Sequence, residues 1–174
     1  MPNKPVLSPE DKLVIKQKLL QLCEDFWIAQ GYKKTSIKAL CTEAKISIGT
    51  FYVLFATKEQ LFLETAQTIQ SRLTERFKET VLQTPNRMGL SKALKKLARE
   101  FDHNPFLYDV NSVDFRAFVT KLSTEEIETI KFESMSFFKE VCQIVNLQPV
   151  IDDATAFGVL STLLSSIATK KTIE

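Results

Sequence analysis

The chain has 174 residues, 44% of them hydrophobic, a formal net charge of +2 and only 4 glycines and 6 prolines. That supplies one substantial core and little of the punctuation that many short strands need, so an all-α fold of helices joined by short connections is expected. No apolar run approaches the roughly 20 residues that span a bilayer, and Met1 to Asp11 lacks the apolar stretch of a signal peptide, which argues against a membrane partner and for a cytoplasmic location.

In chain order, Ser8 is placed to cap a first helix, with Pro9 at its first position and Glu10 and Asp11 at the positive end of the dipole. Its apolar stripe is Ile15, Leu19, Leu22 and Phe26, widened by Cys23 and Trp27. Gly31 is placed to supply the left-handed residue that ends it near Gln30. Thr35 is the expected cap of a short second helix, Ser36 to Ala44, with Ile37, Leu40 and Cys41 on one side. Ser47 is the expected cap of a third, Ile48 to Leu54, too short to be stable without packing on its neighbours. Thr57 with Gln60 forms a capping-box pattern opening a long fourth helix toward Val81.

Beyond Pro85 the pattern predicts helices at about Leu90 to Phe101, Pro105 to Leu122, Thr124 to Val145 and Asp152 to Ala168. Breaks are expected at Pro85 to Gly89, Asn104-Pro105, Ser123 and Leu147 to Pro149. Ser123 with Glu126 is another capping box. The cysteines Cys23, Cys41 and Cys142 are odd in number and far apart, and the one histidine is His103. Neither a disulfide framework nor zinc-ligand spacing results, so the thiols are read as reduced and mostly buried, with no metal and no cofactor expected. An enzyme is disfavoured as well, because the chain has no Gly-x-Ser-x-Gly elbow, no phosphate-binding glycine loop and no paired metal-ligand helix.

Three short helices followed by a long one, with a short turn between the second and third, is the plan of a helix-turn-helix DNA reader, although small three-helix units also occur as mere core. The cations up to Ala66 are all lysines: Lys4, Lys12, Lys16, Lys18, Lys33, Lys34, Lys38, Lys45 and Lys58. They outnumber the acids of that stretch, which suits a weakly basic head, though such lysines are commonly just solvated.

The run Gly31-Tyr32, Thr35-Ser36-Ile37, Ile46-Ser47-Ile48-Gly49-Thr50-Phe51-Tyr52, Phe55, Thr57-Lys58-Glu59 and Leu61-Phe62 resembles the DNA-binding signature of TetR-family regulators, over about Ile15 to Phe62. The resemblance implies an N-terminal helix-turn-helix domain, residues 8–56, and a helical ligand-binding and dimerisation domain, residues 57–174, joined by the long helix. It implies double-stranded operator DNA as partner, contacted by Thr35, Ser36, Lys45, Ser47, Ile48, Gly49, Thr50, Tyr52, Val53 and Lys58. Gly49 would let the backbone approach the duplex, Thr50 meet a base edge or phosphate, Tyr52 and Lys58 hold phosphates, and Phe51 and Phe55 seat the helix. Thr35, Ser47 and Thr57 are needed as caps whatever the function. The chain departs from the family in carrying Val53 and Leu54 where polar or aromatic residues are frequent, so readout there is apolar or absent, and Lys45 stands where many relatives have glycine.

For the second half the resemblance implies a small-molecule effector and a homodimer. Phe101, Tyr108, Phe115, Phe118, Phe132 and Phe138 are the candidate pocket, with Arg116, Ser134 or His103 as further polar groups; the same phenylalanines would equally fill a core, and His103 would equally be a loop residue. The last helix offers Phe157, Leu160, Ser161, Leu164, Ser165 and Ile167 as a dimer face, the alternative being that this face packs inside its own subunit. TetR-like dimers usually close with two terminal helices, whereas the pattern here contains one before Glu174, so either the chain is shortened or its dimer is built differently. The reading is a repressor released from a near-palindromic operator by a small apolar ligand. An activator or co-regulator needs the same features, and a helical small-molecule-binding protein without DNA binding is the alternative of another class.

Overall fold

The computed structural model describes residues 7–169, and among these there are helices but no strand. The order is α1 (Pro9–Lys34), α2 (Ile37–Ala44), α3 (Ile48–Leu54), α4 (Lys58–Leu82), α5 (Arg87–His103), α6 (Pro105–Tyr108), α7 (Val113–Val119), α8 (Thr124–Ile144) and α9 (Asp153–Thr169). Two compact units divide the chain, Met1–Ala66 and Gln67–Glu174, and the division falls inside α4.

In the first unit, the fully buried line of α1 is Leu19, Cys23 and Trp27, at four-residue steps, while Ile15, Leu22 and Phe26 are half-buried beside it. Gly31 interrupts α1 at φ 81°, ψ 176°. This is not the left-handed helical conformation expected of a terminator but an extended positive-φ one that only glycine adopts without strain. The chain makes one more turn past it, through Lys34. Leu40, Cys41 and Ala44 of α2, Phe51 of α3, Phe55, and Leu61 and Phe62 of α4 complete this core. Phe62 sits 4.7 Å from the Trp27 ring and edge-on to Tyr32 at 5.0 Å, a geometry favoured by aromatic quadrupoles.

In the second unit, Phe77, Val81, Ala93, Val141 and Val145 form the centre of a core, flanked by Leu90, Leu94, Leu97, Phe137, Ile144 and Leu147. α5 begins earlier than its pattern suggests. Asn86 caps it, its Oδ1 accepting from Met88 N at 2.8 Å, so Gly89 is inside the helix rather than in a break. A Cβ on Gly89 would lie 2.0 Å from the Thr84 carbonyl oxygen, which explains why glycine is needed there. The helix expected over 105–122 is broken in two at Asp109–Ser112. The buried Asp109 accepts from Asn111 N at 3.1 Å and from the Thr169 hydroxyl of α9 at 3.1 Å, and Ser112 opens α7 by accepting from Phe115 N. The Ser123–Glu126 capping box of α8 forms as expected, and Asp152 caps α9 through Thr155 N at 2.9 Å.

Candidate nucleic-acid interface

The turn between α2 and α3 is set by a residue that sterics disfavour. Lys45 has φ 59°, ψ 44°, the left-handed conformation. Its N–H donates to Thr42 O at 3.1 Å and the next N–H, of Ile46, donates to Cys41 O at 3.0 Å. These two bonds are a Schellman motif, which satisfies the last carbonyls of α2 and turns the chain sharply. The same motif closes α8 with Asn146 at φ 50° and Leu147 N donating to Cys142 O at 2.8 Å. Asparagine tolerates that conformation far better than lysine.

Ser47 then opens α3. Its Oγ accepts from Thr50 N at 3.0 Å and pairs with the Thr50 hydroxyl at 2.9 Å. Phe51 and Phe55 are buried, their rings 5.8 Å apart, and they hold the seven-residue helix that could not persist alone. The opposite side of α3 faces solvent: Ile48 is 48% exposed, Tyr52 54% and Val53 59%, and Gly49 lies between them with no side chain. Two lysines brace this arrangement. Lys18 Nζ donates to Ala44 O at 3.1 Å, placing a cation on the negative end of α2, and Lys16 bridges to Glu64 at 2.6 Å while lying 5.5 Å over the Phe55 ring.

Ser36, Lys45, Ser47, Ile48, Gly49, Tyr52 and Val53 are thus exposed on α2, the turn and α3, with Thr50 half-buried among them. Two candidates lie elsewhere. Thr35 is 1% exposed and is not the cap of α2: its hydroxyl donates to Gly31 O at 2.8 Å, and Ser36 does the capping by accepting from Ala39 N at 3.1 Å. Adjacent hydroxyls compete for that role, and the nearby Gly31 carbonyl takes Thr35. Lys58 is turned into the unit, its Nζ donating to Tyr32 O at 2.5 Å and lying 3.9 Å over the Tyr32 ring, while the Tyr32 hydroxyl donates to Glu59. Lys38, two residues past the Ser36 cap, is also exposed on α2; the lysine bias of the segment is the sequence signal for it.

Burial pushes the Cys23 thiol up to about 12, against the opposing pull of a hydrogen bond from Thr65 and the charge of Lys58. Burial also raises Cys41 and Cys142, and all three are free and buried. Among the described residues no group of His, Cys, Asp and Glu could hold a metal ion, and no helix is long and apolar enough to cross a membrane.

The six pocket candidates of the second unit do not converge on one wall. Phe101 stacks on Tyr108 at 4.3 Å, Phe115 meets the buried Phe118 edge-on, Phe138 packs on Phe157 at 5.8 Å, and Phe132 is 75% exposed. An open groove of ≈ 440 Å³ lies between α5 and α9, lined by Leu90, Leu94, Leu160, Leu164 and Ile167 together with Arg87 and Lys95. The α9 residues expected to form a dimer face, Phe157, Leu160, Ser161, Leu164, Ser165 and Ile167, are half-buried against their own subunit. The outward row is Thr155, Val159, Thr162, Leu163 and Ser166.

Residues 23–65 match the family described as bacterial regulatory proteins, tetR family. Among solved structures the fold is similar to native NalD of Pseudomonas aeruginosa, described as the secondary repressor of the MexAB-OprM multidrug efflux pump. The TM-score is 0.50 at 18% identity, over 92% of this chain and 85% of that one. No curated protein matches the sequence.

Proposed function

We propose that the chain is a DNA-binding regulator of the kind matched over residues 23–65, bacterial regulatory proteins of the tetR family, and that it represses transcription as a homodimer on a near-palindromic operator. The observation that carries the reading is the Ser47-capped α3, anchored by buried Phe51 and Phe55, with Ile48, Gly49, Tyr52 and Val53 turned to solvent beside the exposed Lys45. In this reading α3 enters the major groove, Tyr52 and Lys45 meet phosphates, and Ser36 and Lys38 bring α2 to the backbone. Thr35 and Lys58 serve the fold of the unit, Lys58 by fixing the chain entering α2 through the Tyr32 carbonyl.

One such head contacts too little DNA for high selectivity, so two copies read half-sites about one helical turn apart. We assign the dimer contact to the outward row of α9, because residues 154–169 contain no charged side chain and yet Val159 and Leu163 are more than half exposed. The effector is a small, largely apolar molecule received by the second unit, and the α5–α9 groove suits it; Leu163 belongs both to that groove and to the dimer row. Binding there alters how two copies meet and hence which spacing of half-sites they fit. NalD, similar in fold, is itself described as a repressor.

The test is binding of the purified protein to its own upstream intergenic DNA across a salt series, beside Tyr52→Phe and Lys45→Ala variants. Tight selective binding that falls with salt and weakens in both variants is expected. Binding no better than to random DNA at low salt would instead favour a helical small-molecule-binding protein.

A further inference from the structure

Helix α3 contains no Arg, Lys, Asn, Gln, Asp or Glu. Those are the side chains that make paired hydrogen bonds to base edges. Thr50 is half-buried with its hydroxyl paired to Ser47 Oγ at 2.9 Å, whereas Tyr52, which carries the phenol, is the exposed polar residue of the helix. What α3 presents instead are two branched aliphatic side chains, Ile48 and Val53, about half exposed on either side of the bare Gly49. The packing of the unit does not require them there, since Phe51 and Phe55 seat the helix from the other side.

In the major groove one base carries an apolar group at its edge. Thymine projects its C5-methyl there, whereas guanine, cytosine and adenine project hydrogen-bonding groups. We propose that Ile48 and Val53 select the operator by burying thymine C5-methyl groups, a selectivity that rests on the DNA-binding reading above. The gap at Gly49 lets the helix backbone approach closely enough for the two side chains to reach. At a 1.5 Å rise per residue their attachment points are about 7.5 Å apart along the axis, roughly two base-pair steps. A cytosine at either position would set its amino group against a hydrocarbon surface with no acceptor, so discrimination arises from desolvation as well as from the methyl contact.

The experiment begins with selection of the tightest sites from a random duplex library by the full chain. Thymines of the selected half-sites are then replaced by uracil, which deletes the methyl and keeps every hydrogen-bonding group. The expected penalty is about fourfold per buried methyl, and about fifteenfold when one thymine is changed in each half-site. Uracil at thymines outside the selected positions has no effect. Val53→Ala and Ile48→Ala each abolish the penalty at one position, while leaving the salt dependence and the melting temperature as in the parent. Uracil duplexes that bind as tightly as thymine duplexes, or a penalty that survives in both variants, would overturn the proposal with DNA binding intact. Failure of the library to yield any preferred sequence removes the DNA-binding reading itself, and is distinguished by occurring at the selection step.

Discussion

Replacing Lys45 by glycine is expected to move stability and DNA affinity in opposite directions. Lys45 occupies the left-handed region at φ 59°, which costs an L-residue with a Cβ about 1–2 kcal/mol. Glycine removes that cost but gives back about 0.5–1 kcal/mol through the larger entropy of its unfolded backbone. The net is a gain of about 0.5–1 kcal/mol, and for a chain of this size each kcal/mol raises the melting temperature by about 2–4 °C. The two Schellman hydrogen bonds come from backbone groups of Lys45 and Ile46, so the substitution leaves them in place. The same change removes the ammonium proposed to meet a phosphate, and the slope of log affinity against log salt should fall by about 0.9 per subunit. Thermal unfolding followed by circular dichroism and operator binding followed by fluorescence anisotropy at four or five salt concentrations measure the two effects. Lys45→Asn is the control, because asparagine also tolerates the left-handed region while lacking the charge. A glycine variant that melts at or below the parent would refute the assignment of strain to position 45. One that binds with an unchanged salt slope would refute the phosphate contact.

Gly89→Ala should destabilise the second unit by about 3 kcal/mol, because the new methyl meets a backbone carbonyl at 2.0 Å rather than a side chain that can move; the urea midpoint is the readout. Cys23 should resist thiol reagents in the native protein and react once the chain is unfolded in urea. Its raised folded value means that the unfolded chain releases this proton first, so its contribution to stability is intact below about pH 9 and is lost progressively as pH climbs toward 12. A Cys23→Ala variant should therefore show a shallower decline than the parent over that range, and an identical decline would contradict the assignment. Leu163→Lys combined with Val159→Lys, on the outward row of α9, should convert dimer to monomer in light scattering without lowering helix content; a surviving dimer would move the interface elsewhere.

Helix existence, most caps and the segment that matches the family were legible in the sequence because they depend on local chemistry. Ser8, Ser47 and Ser123 cap as their spacing predicts, and the alternation of exposed and buried residues along α3 follows from Phe51 and Phe55. Tertiary structure decided what local pattern left degenerate. Between the neighbouring hydroxyls of Thr35 and Ser36, the position of the Gly31 carbonyl chose which one capped. Lys58 reads as a solvated or phosphate-binding cation until α1 brings the Tyr32 ring and carbonyl beneath it. Apolar periodicity continues across 105–122, and the break between α6 and α7 falls where the buried Asp109 accepts from Thr169 at the far end of α9, 60 residues away. In α9 itself residues 154–169 lack any charge, so periodicity alone cannot tell inside from outside; packing left Leu160, Leu164 and Phe157 half-buried, Phe157 against Phe138, while Val159 and Leu163 are more than half exposed, Leu163 still bordering the groove beside α5.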